Sequence, residues 1–165
     1  MRKLLGTAAA ISLLSNVVMA DHHIDPPQEV QRLHGFVKAV SADRIETDIT
    51  KLAGFGTRHS LSDTKSDTRG IGAARRWIEA EFNRIAEGCE AELEVYTVSG
   101  MAQGTRIPEP TEIVNVIAVQ KGILDPNRVV MMSGDIDSRI SDPLNGTDDS
   151  PGANDNASGM AGTIE

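Results

Sequence analysis

Three aspartates carry most of the chemistry this 165-residue chain could perform. Asp135 and Asp137 stand two apart in Ser133-Gly134-Asp135-Ile136-Asp137-Ser138-Arg139, and Asp155 follows in Gly152-Ala153-Asn154-Asp155-Asn156-Ala157-Ser158-Gly159. On an extended backbone, alternate side chains leave on the same side, so Asp135 and Asp137 project together. Carboxylate oxygens gathered where water is partly excluded are the donors that a hard or borderline divalent cation selects. Such an ion makes its bound water more acidic and polarises a carbonyl oxygen, and a pair of ions does both at once. Asp155 is suited to bridge such a pair: Gly152 lets the loop turn sharply, and small residues after it can open a helix without crowding. The same residues allow a plainer reading, in which acidic turns solvate the surface and Asp155 caps a helix. Spacing alone leaves both open. Asp142, Asp148 and Asp149 read simply as a solvated loop.

The elements that must position these groups follow from periodicity. Val129-Val130-Met131-Met132, ending at Ser133-Gly134, has the short, β-branched character of a buried parallel strand. Further strands are expected at Ala91–Val98 and Ile113–Gln120, with the Gly- and Pro-rich Ser99–Glu112 as a connecting loop. The turn Lys121–Asn127 is too short for a crossover helix, which makes the strands on either side of it antiparallel neighbours. Helical spacing appears from Glu29 (Val30, Leu33, Val37), and again after a Ser41 cap (Ile45, Ile49, Leu52) up to Gly54 and Gly56. A third helix spans Gly70 to Glu87 with the stripe Ile71, Ala74, Ile78, Phe82 and Ile85, capped by Asp67 or Thr68 and closed by Gly88. The pattern is α/β with a mixed sheet. Met160 and Ile164 open a last helix that stops at Glu165, as in a fragment. Arg58 and His59, in the polar loop Thr57–Asp63, read first as surface or capping residues, although loops also carry binding residues. Trp77 reads as core, and Cys89 as a small buried residue rather than a nucleophile.

Composition excludes several classes. Residues 1–20, with Arg2-Lys3, an apolar stretch from Leu4 and the ending Val18-Met19-Ala20, have the layout of a secretory signal cleaved after Ala20. Its removal takes the formal charge from −8 to −10. That acidity argues against nucleic acid, which requires a cationic face. No other stretch approaches the roughly 20 apolar residues of a membrane span, so the chain is expected to be exported, periplasmic or extracellular, and soluble. One cysteine forms no internal disulfide and no thiolate zinc site. His22-His23 lacks neighbours that would fix its geometry. About 145 residues remain after cleavage, enough for one domain with a core.

The run Gly134-Asp135-Ile136-Asp137-Ser138-Arg139 followed by Pro151-Gly152-Ala153-Asn154-Asp155-Asn156-Ala157-Ser158-Gly159 resembles half of the metal site of the zinc-dependent aminopeptidases related to bacterial leucyl aminopeptidase and plasma glutamate carboxypeptidase. There a strand end carries His-x-Asp-Ser, and a loop ending Gly-Ala-(Asp/Asn)-Asp-(Asn/Asp)-x-Ser-Gly follows. Thr57-Arg58-His59-Ser60, Gly70–Ile78, Glu92–Val98 and Asn115–Gly122 sit in the same order, so the resemblance spans nearly all of residues 21–165. It implies a three-layer α/β sandwich with a mixed, largely parallel central sheet flanked by helices, incomplete at the C-terminus, in which 21–165 is the N-terminal part of one domain. It also implies two zinc ions, a peptide substrate and exopeptidase activity. Asp155 matches the aspartate that bridges the two ions. Asp137 matches the catalytic-site aspartate that orients the histidine ligand. Asp135 occupies the position of that histidine and would bind metal through oxygen instead. The family's Glu-Glu pair, which holds the general base, is not among these residues, so the chain is expected to be inactive alone. The alternative is a non-catalytic, peptidase-like binding domain that has lost its metal. Oligomeric state is not legible.

Overall fold

The structure, a computed structural model, describes residues 30–90 and 92–165; the expected signal segment and His22-His23 lie outside them. The chain divides into two units, residues 1–37 and 38–165. The described residues of the first belong to helix α1 (Val30–Ala39), where the Val30, Leu33, Val37 spacing predicts it.

The second unit holds α2 (Ala42–Ala53), α3 (Gly70–Gly88), a hairpin of β1 (Leu93–Gly104) and β2 (Ile107–Gln120), a wide turn at Ala153–Ala157 and α4 (Ser158–Ile164). Ser41 caps α2 as expected, its side chain accepting the Arg44 N–H at 3.2 Å. Gly54 closes the same helix by donating to the Leu52 and Thr50 carbonyls. The α3 stripe is buried at Ile71, Ala74, Ile78 and Phe82. Its cap is neither Asp67 nor Thr68. The N-cap position is Arg69, which makes no side-chain cap; the free Ile71 N–H is met by Ser62 Oγ at 2.8 Å, and the Gly72 N–H by the Asp63 carbonyl at 3.1 Å. The orphan donors of a helix start need an acceptor in space rather than in sequence, and the folded-back loop supplies it.

The core joins three helices and one face of the hairpin. Leu52 and Phe55 from the end of α2, Ala74, Ile78 and Phe82 from α3, and Met160 and Ile164 from α4 form one buried cluster, with Trp77, Val95, Val116, Ala118 and Ile136 packed around it. Trp77 thus sits at the core margin, its ring 6.5 Å from that of Phe55. Arg44 pairs with Asp48 of its own helix and links α2 to α3 through Glu81, each at 2.9 Å.

Three expectations are corrected. Ser99–Glu112 is not a loop: the strands stay paired from Leu93↔Gln120 to Gly104↔Ile107, with one irregularity between Ala102 and Gly104, and only Thr105-Arg106 turn the chain. Pro108 and Pro110 are tolerated in β2 because each strand of a two-stranded hairpin has an open edge that needs no N–H. Val129–Met132 is neither strand nor buried; the four residues are 70–84 % exposed. Apolar, β-branched composition favours a strand only where a neighbour supplies the ladder and the packing, and among the described residues none does. Cys89 is exposed rather than buried, since it falls one residue past α3, beyond the core. Among the described residues the architecture is therefore a small mixture of helices with a two-stranded antiparallel sheet.

Candidate functional site

The two acidic segments meet in space. The residues of the first alternate between outside and inside: Asp135 and Asp137 are exposed, Ile136 packs against the core and Ser138 is buried. Both carboxylates therefore leave the same side, as alternation predicts. The second segment is the turn Ala153–Ala157. Gly152 enters it with φ +47, a left-handed conformation that glycine adopts at no steric cost, and Asp155 (φ −124, ψ 90) and Asn156 (φ −136, ψ 41) depart from helical geometry. The Asp155–Asn156 peptide bond is cis. The turn closes where Ala157 N–H donates to the Gly152 carbonyl at 3.1 Å.

Two glycines mark the contact between the segments. A Cβ on Gly134 would fall 2.6 Å from the Met160 Cα and N; one on Gly152 would fall 2.6 Å from Ser138 Cβ. No larger residue fits either place without moving the backbone. Asp155 does not cap α4. The N-cap position is Ala157, and the side chain that meets a free N–H there is Asn156, whose Oδ1 accepts the Gly159 N–H at 2.9 Å, so the capping alternative for Asp155 falls. Asp155, Asp135 and Asp137 are exposed, and among the described residues none of the three accepts a hydrogen bond or pairs with a cation.

A knot of polar side chains holds this arrangement. Arg58 and His59, read from sequence first as surface or capping residues, are 1 % and 5 % exposed. The Arg58 guanidinium donates from Nε to the Ile136 carbonyl (2.9 Å), from Nη1 to Leu52 (2.9 Å) and Pro151 (2.7 Å), and from Nη2 to Gly152 (3.1 Å). Burial lowers its pKa from the ordinary arginine value, and the negative charge of Asp137 opposes that shift. The Leu52 carbonyl belongs to the last turn of α2, the negative end of the helix dipole, which favours a cation there. Ser138 Oγ accepts the Arg58 N–H at 3.0 Å and donates to the Ser150 carbonyl at 2.6 Å, while Thr57 Oγ1 and Ser150 Oγ lie 2.9 Å apart. Thr57 and Ser150 form an isolated parallel bridge. His59 Nδ1 accepts the Leu61 N–H at 3.0 Å, which leaves Nε2 to donate to the Pro143 carbonyl at 3.1 Å. With both ring nitrogens engaged, His59 is a loop tie and not a free metal ligand. A signal for this knot was available in the sequence: an arginine between Thr57 and His59, just past the end of a helix whose last carbonyls need donors.

The donor chemistry suits a divalent cation only in part. The acids are oxygen donors left free by every other role, yet among the described residues no three His, Cys, Asp or Glu side chains converge on one ion-sized point. Zinc takes three or four protein ligands, so these residues by themselves do not complete a zinc site.

The chain is 47 % identical over 141 residues to a probable zinc metalloprotease of Leptosphaeria maculans, covering 85 % of this chain and 32 % of that protein. It is 48 % identical over 141 residues to a probable zinc metalloprotease of Pyrenophora teres f. teres, covering 85 % and 29 %. It is a relative of fungal proteins that bear this name. A third, from Pyricularia oryzae, is 49 % identical over 128 residues, covering 76 % and 25 %. The chain spans about a quarter to a third of the length of these curated relatives. No family model matches it, and no solved structure matches it significantly.

Proposed function

We propose that this chain supplies the N-terminal part of an exported zinc metallopeptidase, an exopeptidase that hydrolyses peptide bonds, built on a three-layer sandwich with two zinc ions. Asp155 is the bridging ligand, Asp135 an oxygen ligand in place of histidine, and Asp137 the acid beside them. The observation that carries the reading is Asp155 itself: its turn is shaped by Gly152 and closed by Ala157, the capping role next to it is taken by Asn156, and its carboxylate is left exposed and free. The relatives' printed names support zinc and proteolysis as the chemistry. Bound zinc would supply Lewis acidity and an acidified water; the residues described here hold the ligands in place.

No adjacent glutamate pair lies among the 165 residues, so these residues alone are expected to show no peptide turnover. A non-catalytic binding domain is the second reading, favoured by Asp135 at the histidine position and by the absence of a converging triad among the described residues. Metal analysis and peptidase assay of the full-length gene product and of the 165-residue chain separate the two. Zinc with turnover in the former supports the enzyme; a metal-free, inactive full-length product sinks it.

A further inference from the structure

We infer that Arg58 is the positioning residue of this site, one fork that brackets both acid-bearing segments and sets their spacing. Asp137 is held on each side by Arg58. The guanidinium takes the Ile136 carbonyl before it, and the Arg58 main chain meets Ser138 after it, with Arg58 N–H donating to Ser138 Oγ (3.0 Å) and Ser138 N–H donating to the Arg58 carbonyl (3.4 Å). The Asp155 turn is held at its entrance, because the Pro151 and Gly152 carbonyls take Nη1 and Nη2. The Gly152 carbonyl also receives the Ala157 N–H that closes the turn, so the fork and the turn share one acceptor.

All four acceptors are neutral carbonyls on three separate segments, and none is a carboxylate. An ion pair would satisfy a buried charge more directly. A set of carbonyls around a planar fork fixes directions instead, which a lysine, a point charge on a flexible stem, does not reproduce. The Leu52 carbonyl anchors the fork to the end of α2, where the Leu52 side chain, and Phe55 just past the helix, pack into the core. The positions of Asp137 and Asp155 are thereby referred to the helical core rather than to their own loops.

In its zinc arm this inference rests on the metallopeptidase reading; its exchange arm does not. Native-state amide exchange is measured on wild type and Arg58→Lys without metal. The Ser138, Ser150 and Ala157 amides, which donate to Arg58, Gly56 and Gly152, are expected to exchange at least about tenfold faster in the variant, while α3 amides at Ile78 and Phe82 stay within about twofold. Unchanged rates, or an equal rise through α3, overturn the inference, since a general stabiliser acts on the whole unit. Should Arg58→Lys not fold, Ser138→Ala leaves the fork intact; a rise confined to residues 138 and 150 supports the bracket, and a uniform rise or none overturns it. Chelator competition on the full-length gene product, wild type and variant, then gives zinc affinity. Binding weaker by at least about tenfold in Arg58→Lys is expected, and equal binding overturns positioning. Wild type that holds no zinc overturns the metallopeptidase reading, and the exchange rates still decide the role of Arg58.

Discussion

Replacing Gly134 with alanine tests the packing of the site in a single methyl group. The added Cβ would lie 2.6 Å from the Met160 Cα and N and 2.7 Å from the Gly159 carbonyl carbon, where ordinary contact begins at 3.4 Å. The obstacles are backbone atoms of α4, so no rotamer change relieves the clash. Either α4 or the Gly134–Ser138 segment must shift by about 0.8 Å. Because α4 buries Met160, Ala161 and Ile164, that shift loosens the core. Overpacking costs about 1–3 kcal/mol, and an unyielding backbone places G134A in the upper half of that range. Gly162 is the control: it lies inside α4, is exposed, and has nothing within 4 Å of an added Cβ. G162A should therefore stabilise by about 0.5–1 kcal/mol through helix propensity. Urea denaturation followed by fluorescence of Trp77, the single tryptophan, reads both midpoints. G134A within about 0.5 kcal/mol of wild type, or both variants shifting the same way, would refute the packing argument.

Two further outcomes follow from local chemistry. The Asp63 carboxylate accepts the Ser66 and Lys65 N–H groups at 3.0 and 2.6 Å, which lowers its pKa below the ordinary 3.8. A depressed folded value means that its contribution is complete above the unfolded pKa and is lost as pH falls through the folded one. The stability difference between wild type and Asp63→Asn should thus be present near neutral pH and vanish in acid; a difference that persists unchanged below about pH 2 would contradict the assignment. Cys89 is exposed, so a thiol reagent should titrate one equivalent in the native state without denaturant. Protection that yields only on unfolding would show that the end of α3 is covered.

Local rules made much of this unit legible. The Ser41 cap, the α3 stripe and the common side of Asp135 and Asp137 are each set by residues within a few positions of one another, and each is present. What escaped depends on partners far away in sequence. Val129–Met132 has the residues of a strand and lacks a ladder among the described residues. Pro108 and Pro110 suggest a loop until the hairpin's open edges are known. The α3 start is capped by Ser62, nine positions from its donor. Arg58 is the clearest case: its acceptors at Ile136, Pro151 and Gly152 lie 78 to 94 positions away, and only the fold shows that they surround one guanidinium. The types of the site residues were readable, as was an arginine past the end of α2, and the distant carbonyls that it gathers were not.

Equilibrium dialysis of the full-length gene product against buffered zinc, with metal content measured for wild type and Asp155→Asn, tests the central claim most directly. Wild type is expected to retain zinc and Asp155→Asn to lose most of it, while its urea midpoint without metal stays at the wild-type value because the Asp155 carboxylate makes no internal bond among the described residues. Equal zinc content in the two proteins, or none in either, would contradict Asp155 as the ligand on which the site is built.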